Sequence, residues 1–391
     1  MPITWNQQAV KKENKSLVLS EIIRHSPLSR ADIAQRSGLN KGTVSSLVAE
    51  LLEEKLIIES GPGESSGGRR PVMLLFNQGA GYTIGLDLGV NYILGVLTDL
   101  NGTIVAEKNE PYKNVAYEDT FSRVVDVITL LINAAPSSPY GIVGIGVGTP
   151  GIVNKDGKLL LAPNLGWRDI PLKTELEKVF QVPVIVENEA NTGAYGEKQF
   201  GTGQHADNLI YVSTGIGIGA GIIINGDLYS GANGYSGEVG HMTIDRNGPK
   251  CSCGNKGCWE LYASEQALLA KANRMKLTNE KEISLADIIF LAIKENGATI
   301  ELLEEISENL AIGIINIINA FNPEQIIIGN RLAACKQWME PKLKEVISQY
   351  TSPFNQTDIK IDFSDLAIPV SALGAAAFSA EAFLKAQQHS S

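Results

Sequence analysis

The chain has 391 residues, of which 44% are hydrophobic and 19% charged, so it can bury more than one large core. Its longest apolar runs, such as Val72 to Phe76, are far too short to cross a bilayer, and four cysteines do not suggest a disulfide framework. The first residues lack a basic segment followed by an apolar stretch, so we expect a cytoplasmic protein with no membrane partner. The net charge of -10 counts against a nucleic-acid ligand, because phosphate binding needs a local surplus of Lys and Arg.

The charge is unevenly distributed along the chain. Residues 1–78 contain ten Lys and Arg against eight Asp and Glu, a balance of +2, which leaves 23 against 35, or -12, for residues 79–391. A contrast of this kind suggests a nucleic-acid-binding module joined to a unit of a different type. We therefore expect two domains, residues 1–78 and 79–391.

The N-terminal segment has the pattern of three short helices. Apolar residues at helical spacing predict a first amphipathic helix that ends near Pro27. Ser29 followed by Asp32 has the form of a capping box at the start of a second helix. Gly38 can end that helix in the left-handed conformation, and Asn40 can cap a third helix directly afterwards.

The third predicted helix is amphipathic. The stripe that it buries consists of Val44, Leu47, Val48 and Leu51. Small polar side chains and one cation lie on or near the opposite face, and these are Lys41, Thr43, Ser45 and Ser46. Such a face suits a recognition helix, whose first turns must approach base edges in the major groove of DNA.

Two β-rich runs, 56–59 and 72–76, then predict a hairpin with a flexible tip. Arg69 and Arg70 follow two glycines in this tip and can reach phosphates or a narrow minor groove. The whole segment predicts a winged helix-turn-helix; the alternative is a helical bundle that binds another protein, with the Gly/Arg stretch as a linker. The candidate DNA-contacting residues are Ser29, Arg30, Asn40, Lys41, Thr43, Ser45, Ser46, Arg69 and Arg70.

The larger segment shows a similar order of elements twice. The first copy has three strands and a helix, at 83–88, 92–98, 103–106 and 120–133. The second copy has two strands, a helix and a strand, at 208–213, 220–224, 306–321 and 325–328. This α/β order is typical of an actin-like ATPase fold with two similar lobes around a cleft. The Gly-rich segments 85–89 and 213–219 are similar to its phosphate loops, although Gly-rich turns are more often structural.

A cluster of soft ligands lies within residues 241–260. Separations of ten, two and five residues join one imidazole to three thiols, the set that a tetrahedral structural zinc needs: His241, Cys251, Cys253 and Cys258. Gly254 and Gly257 permit a tight reversal between the last two thiols. The alternative is a reduced, metal-free set of small buried residues, although such a cluster favours metal in a cytoplasmic protein. A closed site of this kind would hold a loop and would not activate water, and Cys335 outside it is expected to be a buried small hydrophobe.

Carboxylates and amides cluster around this motif and on two upstream segments predicted to be loops. Side chains of this kind in a fixed geometry suit a polyol, because each hydroxyl needs both a donor and an acceptor. The alternative for any single residue is ordinary helix capping or loop polarity. The candidates are Asn164, Glu187, Asn188, Glu189, Asn191, Glu238, His241 and Glu260.

Together these motifs resemble the ROK family (repressors, open reading frames and sugar kinases) along essentially the whole chain. The resemblance is carried by Glu238-Val-Gly-His241, by the Cys-Ser-Cys-Gly-Asn-Lys-Gly-Cys-Trp-Glu run of 251–260 and by the phosphate-loop segments. It implies zinc at His241, Cys251, Cys253 and Cys258. For a sugar ligand it implies Asn164, Asn188, Glu189, Glu238, His241 and Glu260, with the second ring nitrogen of the histidine facing the sugar.

With its N-terminal winged helix, the chain resembles the transcriptional-repressor branch of the family. Residues 65–72 and 187–197 are most similar to the members that respond to xylose. The resemblance implies a homodimer on a palindromic operator, released when D-xylose binds in the cleft between the lobes. A third alternative is a DNA-binding protein whose lobes respond to no ligand.

Two departures distinguish the chain from the sugar kinases of the family. Those kinases have an Asp as general base where this chain has Glu189, whose carboxylate is displaced by about an ångström. They also have Gly-Gly-Thr-Lys in the first phosphate loop, where this chain has Gly89-Val-Asn-Tyr92. We therefore expect a degenerate kinase fold without a catalytic residue, and an ATP-dependent sugar kinase is the alternative function.

Overall fold

The computed structural model describes residues 7–62, 71–112, 116–278, 282–352, 359–366 and 369–389. None of the helices in these ranges is both long enough and apolar enough to span a membrane.

The N-terminal unit consists of three helices and a small antiparallel sheet. Its elements are α1 (Gln7–His25), β1 (Leu28–Ser29), α2 (Arg30–Ser37), α3 (Lys41–Glu53), β2 (Ile57–Pro62) and β3 (Val72–Phe76). The sheet has the order β1-β3-β2, so the predicted hairpin forms and the fold is a winged helix-turn-helix. Strand β1 was not predicted, because two residues are too short to show an alternating pattern.

The local sequence signals of this unit form as predicted. Ser29 and Asp32 make both bonds of a capping box, and Gly38 ends α2 with φ 70°. The Thr43 N–H donates to Asn40 Oδ1 at 2.8 Å and so caps α3. The predicted stripe of α3 is buried to at most 2% exposure in the core of the unit.

The first lobe is built on a five-stranded sheet. The elements of this part of the chain are β4 (Tyr82–Leu88), β5 (Tyr92–Asp99), β6 (Ile104–Pro111), α4 (Tyr117–Ala134), β7 (Ile142–Thr149), β8 (Ile152–Val153), β9 (Leu159–Ala162), β10 (Trp167–Ile170), α5 (Leu172–Phe180) and β11 (Val184–Asn188). The order is β11-β7-β4-β5-β6, in which β4, β5 and β6 are antiparallel while β7 and β11 are parallel to β4. Strands β8 to β10 form a separate three-stranded sheet.

The second lobe repeats this sheet. The elements of this part of the chain are α6 (Glu189–Phe200), β12 (Leu209–Thr214), β13 (Ile218–Ile224), β14 (Asp227–Leu228), α7 (Glu260–Ala263), α8 (Glu265–Met275), α9 (Leu285–Ile293), α10 (Gly297–Phe321), β15 (Gln325–Gly329), α11 (Lys336–Tyr350), β16 (Lys360–Phe363) and α12 (Val370–His389). The order β14-β13-β12-β15-β16 again joins three antiparallel strands to two parallel ones. This repetition confirms the predicted two-lobed, actin-like fold.

Two predicted elements are longer than expected. Strand β6 continues to Pro111, although its second half is polar, because it pairs with β5 along its length. Helix α10 begins at Gly297 and not at Ile306, because Asn296 caps it by accepting a hydrogen bond from the Thr299 N–H at 3.0 Å.

Helix α12 packs unusually close to the first sheet. A Cβ atom on Gly85 of β4 would lie 1.9 Å from the Ala372 carbonyl oxygen. A Cβ atom on Gly146 of β7 would lie 1.9 Å from the carbonyl oxygen of Ala375. These strand glycines are therefore required by the approach of the helix backbone.

Candidate functional sites

The imidazole and three thiols of residues 241–258 come together in the second lobe. Their ligand atoms all lie within 4.8 Å of one another. Cys253 Sγ is 3.7 Å from Cys258 Sγ, and Cys251 Sγ is 3.7 Å from Nδ1 of the histidine. Two thiolates about 2.3 Å from a shared tetrahedral zinc are about 3.8 Å apart, whereas disulfide sulfurs are about 2.0 Å apart. The geometry therefore fits four ligands of one metal ion and does not fit a disulfide.

The loop around these ligands turns at the two predicted glycines. Gly254 has φ 95° and Gly257 has φ 62°. A Cβ on Gly257 would lie 1.6 Å from the Asp245 carbonyl oxygen, so no larger residue fits there. Cys335 lies outside the cluster and is fully buried, as predicted.

Two of the three cluster thiols have a raised pKa in the protein alone, whereas hydrogen bonds lower the pKa of the exposed Cys253 thiol. Burial raises the pKa of the Cys251 thiol, and burial together with hydrogen bonds to the other two thiols raises that of Cys258 to about 12. A divalent cation would displace these protons, because the thiolate is the form that binds metal. One imidazole and three thiols form one of the donor sets found in structural zinc sites.

Two carboxylates lie on either side of the His241 ring. Glu260 Oε1 is 3.4 Å from Nδ1 and accepts a hydrogen bond from Cys251 Sγ at 3.1 Å. Glu238 Oε2 is 3.8 Å from Nε2. Nδ1 therefore faces the thiols while Nε2 is turned toward Glu238. Glu260 also reaches the second phosphate loop, since a Cβ on Gly217 would lie 2.9 Å from its Oε2.

The predicted amide ligands lie on the first lobe and at its junction with α6. Asn188 caps α6, because its Oδ1 accepts from the Ala190 N–H at 2.8 Å, and its Nδ2 donates to the Gly151 carbonyl oxygen at 2.8 Å. Asn164 is exposed in the short 3-10 helix Pro163–Leu165, and no described hydrogen bond joins it to the other candidate sugar ligands. The prediction of a loop at 187–191 was wrong, because the Asn188 cap starts α6 directly at the end of β11.

Glu189 lies close enough to Asp87 of the first phosphate loop and to Glu238 for their charges to affect it. Burial raises its pKa to about 8, and the negative charges of Asp87 and Glu238 contribute to the shift. Burial also raises the pKa of Asp87 to about 6. Glu189 is therefore largely protonated at neutral pH, where it can donate a hydrogen bond but is a poor proton acceptor.

The first phosphate loop is covered by a tyrosine of the same lobe. The Tyr92 hydroxyl donates to Asp87 Oδ2 at 2.7 Å. Its ring lies so close to the loop that a Cβ on Gly89 would be 2.2 Å from Cε1 of the tyrosine. Tyr112 closes the other side, since its hydroxyl donates to the Gly89 carbonyl oxygen at 2.7 Å. The Tyr92 ring therefore takes up space beside the first phosphate loop.

Asn330 and Arg331, which the sequence did not indicate, make contacts at the two phosphate loops. Asn330 Nδ2 donates to Ser213 Oγ at 2.9 Å. Arg331 reaches across the cleft, where its Nη1 donates to Asn91 Oδ1 at 3.3 Å and its Nε lies 3.0 Å from Glu265 Oε2. Nothing in the sequence predicts these contacts, because they join segments that are far apart in the chain.

The predicted DNA-contacting residues lie at different depths. Lys41, Ser45 and Ser46 are exposed and Thr43 is half-buried on the outer face of α3. Asn40 is exposed at the N-terminus of that helix.

The remaining candidates flank α2 and the wing. Ser29 is only 6% exposed and is held by Asp32, so it caps α2. Arg30 Nη2 lies 3.4 Å from Glu59 Oε1 of β2. Arg69 and Arg70 lie outside the described residues.

The ROK family profile matches residues 83–382, and the MarR family profile matches residues 13–70. The chain belongs to the ROK family. The ROK match spans both lobes and the metal cluster, while the MarR match spans most of the winged helix-turn-helix. This ROK protein thus combines a MarR-type winged helix-turn-helix with a kinase-like pair of lobes.

The relatives of this ROK protein include a repressor of similar length. The xylose repressor of Bacillus spizizenii is 47% identical over 97% of this chain and 98% of that protein. The structure of a ROK family transcriptional regulator, a homologue of the E. coli MLC protein, matches 97% of this chain and 98% of its own with a TM-score of 0.82 and 28% identity. The structure of a ROK glucokinase from Streptomyces griseus, with glucose and AMPPNP, matches 76% of this chain and 98% of its own with a TM-score of 0.70 and 26% identity. The regulator therefore covers more of this chain than the glucokinase does.

Proposed function

We propose that this ROK protein is a transcriptional repressor that binds a palindromic operator and releases it when D-xylose occupies the cleft between the lobes. The observation that carries the proposal is that one chain combines a winged helix with kinase-like lobes and is similar, along nearly its full length, to a relative named a xylose repressor. The protein would act in the cytoplasm as a homodimer, because a palindrome presents two equivalent half-sites.

The proposed sugar ligands are Asn164, Asn188, Glu189, Glu238, His241 and Glu260. Zinc is the proposed structural cofactor, bound by His241, Cys251, Cys253 and Cys258. Its role would be to keep Glu260 and His241 in place, since both touch the cluster through the contacts described above. Zinc would supply no chemistry to the sugar, because four protein ligands leave no open position.

Two features favour a sensor over a sugar kinase. Glu189, at the position of the kinase base, has its pKa raised to about 8 by burial, and a protonated carboxyl cannot accept the proton of an attacking hydroxyl. Tyr92 stands where the kinases have a lysine, and its hydroxyl bonds Asp87 beside the phosphate loop. A tyrosine brings no positive charge to nucleotide phosphates.

D-Xylose is expected to weaken operator binding by a factor of about 5 to 150, the usual range of a coupling of 1–3 kcal/mol. The sugar can do this only if it binds the form that releases DNA more tightly. The operator can be selected from randomised duplexes, and its affinity measured by fluorescence anisotropy with and without saturating D-xylose.

D-Glucose and N-acetylglucosamine serve as comparison ligands in the same titration. Operator affinity that is unchanged by saturating D-xylose would contradict the proposal. Steady ADP release with any of these sugars and ATP would instead establish the kinase alternative. A stable fold that shows no thermal shift with any monosaccharide would favour a regulator without a ligand.

The double variant Arg69→Ala/Arg70→Ala is expected to bind the operator more weakly and with a smaller salt dependence. Each lost phosphate contact should reduce the slope of log K against log salt by about 0.9. The measurement is operator affinity at several salt concentrations, with D-xylose affinity as the control for folding. An unchanged slope would show that these arginines do not contact phosphate.

A further inference from the structure

The N-terminal end of helix α12 lies at the proposed ligand cleft. The Ser371 hydroxyl is 2.7 Å from Thr192 Oγ1 of α6 and also hydrogen-bonds Asp87 beside the first phosphate loop. The helix cannot slide along the sheet, because the close contacts at Gly85 and Gly146 leave no free space between them. A displacement of the cleft strands must therefore move α12 with them.

The other end of α12 lies against the N-terminal unit. Phe383 packs edge-on against Tyr140 of the first lobe, with ring centroids 5.0 Å apart. The Tyr140 hydroxyl donates to the carbonyl oxygen of Glu54 at 2.8 Å. Glu54 is the C-terminal cap of α3, the proposed recognition helix. One aromatic side chain thus touches both α12 and the end of the helix that would read DNA.

A buried lysine makes a second connection at the same place. Lys15 of α1 is 2% exposed, and its Nζ donates to Glu54 Oε1 at 2.6 Å and to the Gln387 carbonyl oxygen of α12 at 3.4 Å. A buried charge must keep its partners, because an unpaired ammonium in the interior is strongly destabilising. The contacts of Lys15 with Glu54 and Gln387 therefore resist independent rotation of α3 and α12.

We infer that Tyr140 and Lys15 are positioning residues through which α12 transmits the state of the sugar cleft to the recognition helix. A helix of 20 residues is about 30 Å long, enough to join two distant sites as a rigid element. Because α12 is held against the first sheet, a change in the angle between the lobes would move α12 and Tyr140 together and so tilt α3 through Glu54. The inference rests on the proposed function, because it assigns the route by which that sugar acts.

The test separates coupling from binding. Tyr140→Phe keeps the ring contact with Phe383 and removes only the bond to Glu54, and Lys15→Met keeps most of the buried stem without the charge. For each variant, D-xylose affinity is measured by calorimetry, and operator affinity by anisotropy with and without D-xylose. In Tyr140→Phe we expect both separate affinities to stay within about threefold of wild type while the xylose effect on the operator falls below about threefold.

The matched control is Tyr117→Phe, which removes a hydroxyl that bonds Glu175 within the first lobe and should leave the xylose effect unchanged. A Tyr140→Phe protein that releases the operator as wild type does would overturn the inference. So would a variant that loses operator binding without sugar, since the hydroxyl would then only support the N-terminal unit. If wild type itself shows no response to D-xylose, the proposed function fails, and the coupling route fails with it.

If Lys15→Met does not fold, Tyr140→Phe alone decides the result.

Discussion

Replacing Cys253 with serine is expected to remove the metal and to weaken the response to D-xylose. Serine is a poor ligand for zinc. Three remaining donors are not expected to supply the binding free energy of a four-ligand site, which is about 10–16 kcal/mol in small zinc domains. Cys253 is exposed, so the substitution itself disturbs little packing. Elemental analysis should show zinc falling from about one ion per chain to near zero, with D-xylose affinity at least tenfold weaker.

The sugar affinity should fall because the metal site and the proposed sugar site share side chains. Glu260 accepts a hydrogen bond from Cys251 and approaches the His241 ring, so a loosened loop would displace both. The control is Cys335→Ala, which changes a buried cysteine outside the cluster and should keep both zinc and xylose binding. Full zinc content in Cys253→Ser, or a normal response without zinc, would refute the shared-anchor explanation.

Replacing Ser46 with glutamate is expected to reduce operator affinity at least a hundredfold, about 2.8 kcal/mol, without affecting D-xylose binding. Ser46 is exposed on the outer face of α3, and glutamate is a good helix former, so the fold should tolerate the change. In the major groove the new carboxylate would face base edges and phosphates of like charge. Anisotropy with the selected operator measures the loss.

Asn133→Asp on the exposed surface of α4 adds the same charge on the first lobe and should leave operator affinity nearly unchanged. Wild-type affinity in Ser46→Glu would mean that this face of α3 does not enter the groove. An equal loss in both variants would mean that net charge, and not position, reduces binding.

Features that depend on neighbouring residues in the chain could be predicted from the sequence. The capping box at Ser29, the left-handed Gly38 and the cap at Asn40 each need a partner within a few residues. The metal cluster could also be predicted, because its spacing is specific even though the ligands come from a loop without regular structure.

Features that depend on distant segments could not be predicted. The bonds from Tyr140 to Glu54 and from Arg331 to Asn91 join residues 86 and 240 positions apart. Single-sequence periodicity reports which side of an element is apolar but not which element covers it. The polar second half of β6 was missed for the same reason, since its pairing with β5 overrides its composition.

The sequence alone therefore determined the fold class, the order of the two parts, the residues of the candidate metal cluster and the residue types of the proposed sugar site. Local periodicity, capping and ligand spacing depend only on residues that are close together in the chain. Only the tertiary structure decided that the Tyr92 ring lies against the first phosphate loop, that burial raises the pKa of Glu189 to about 8, and that Tyr140 and Lys15 join α12 to the end of α3. The physical reason is that burial and long-range contacts depend on packing between segments, which no local pattern specifies.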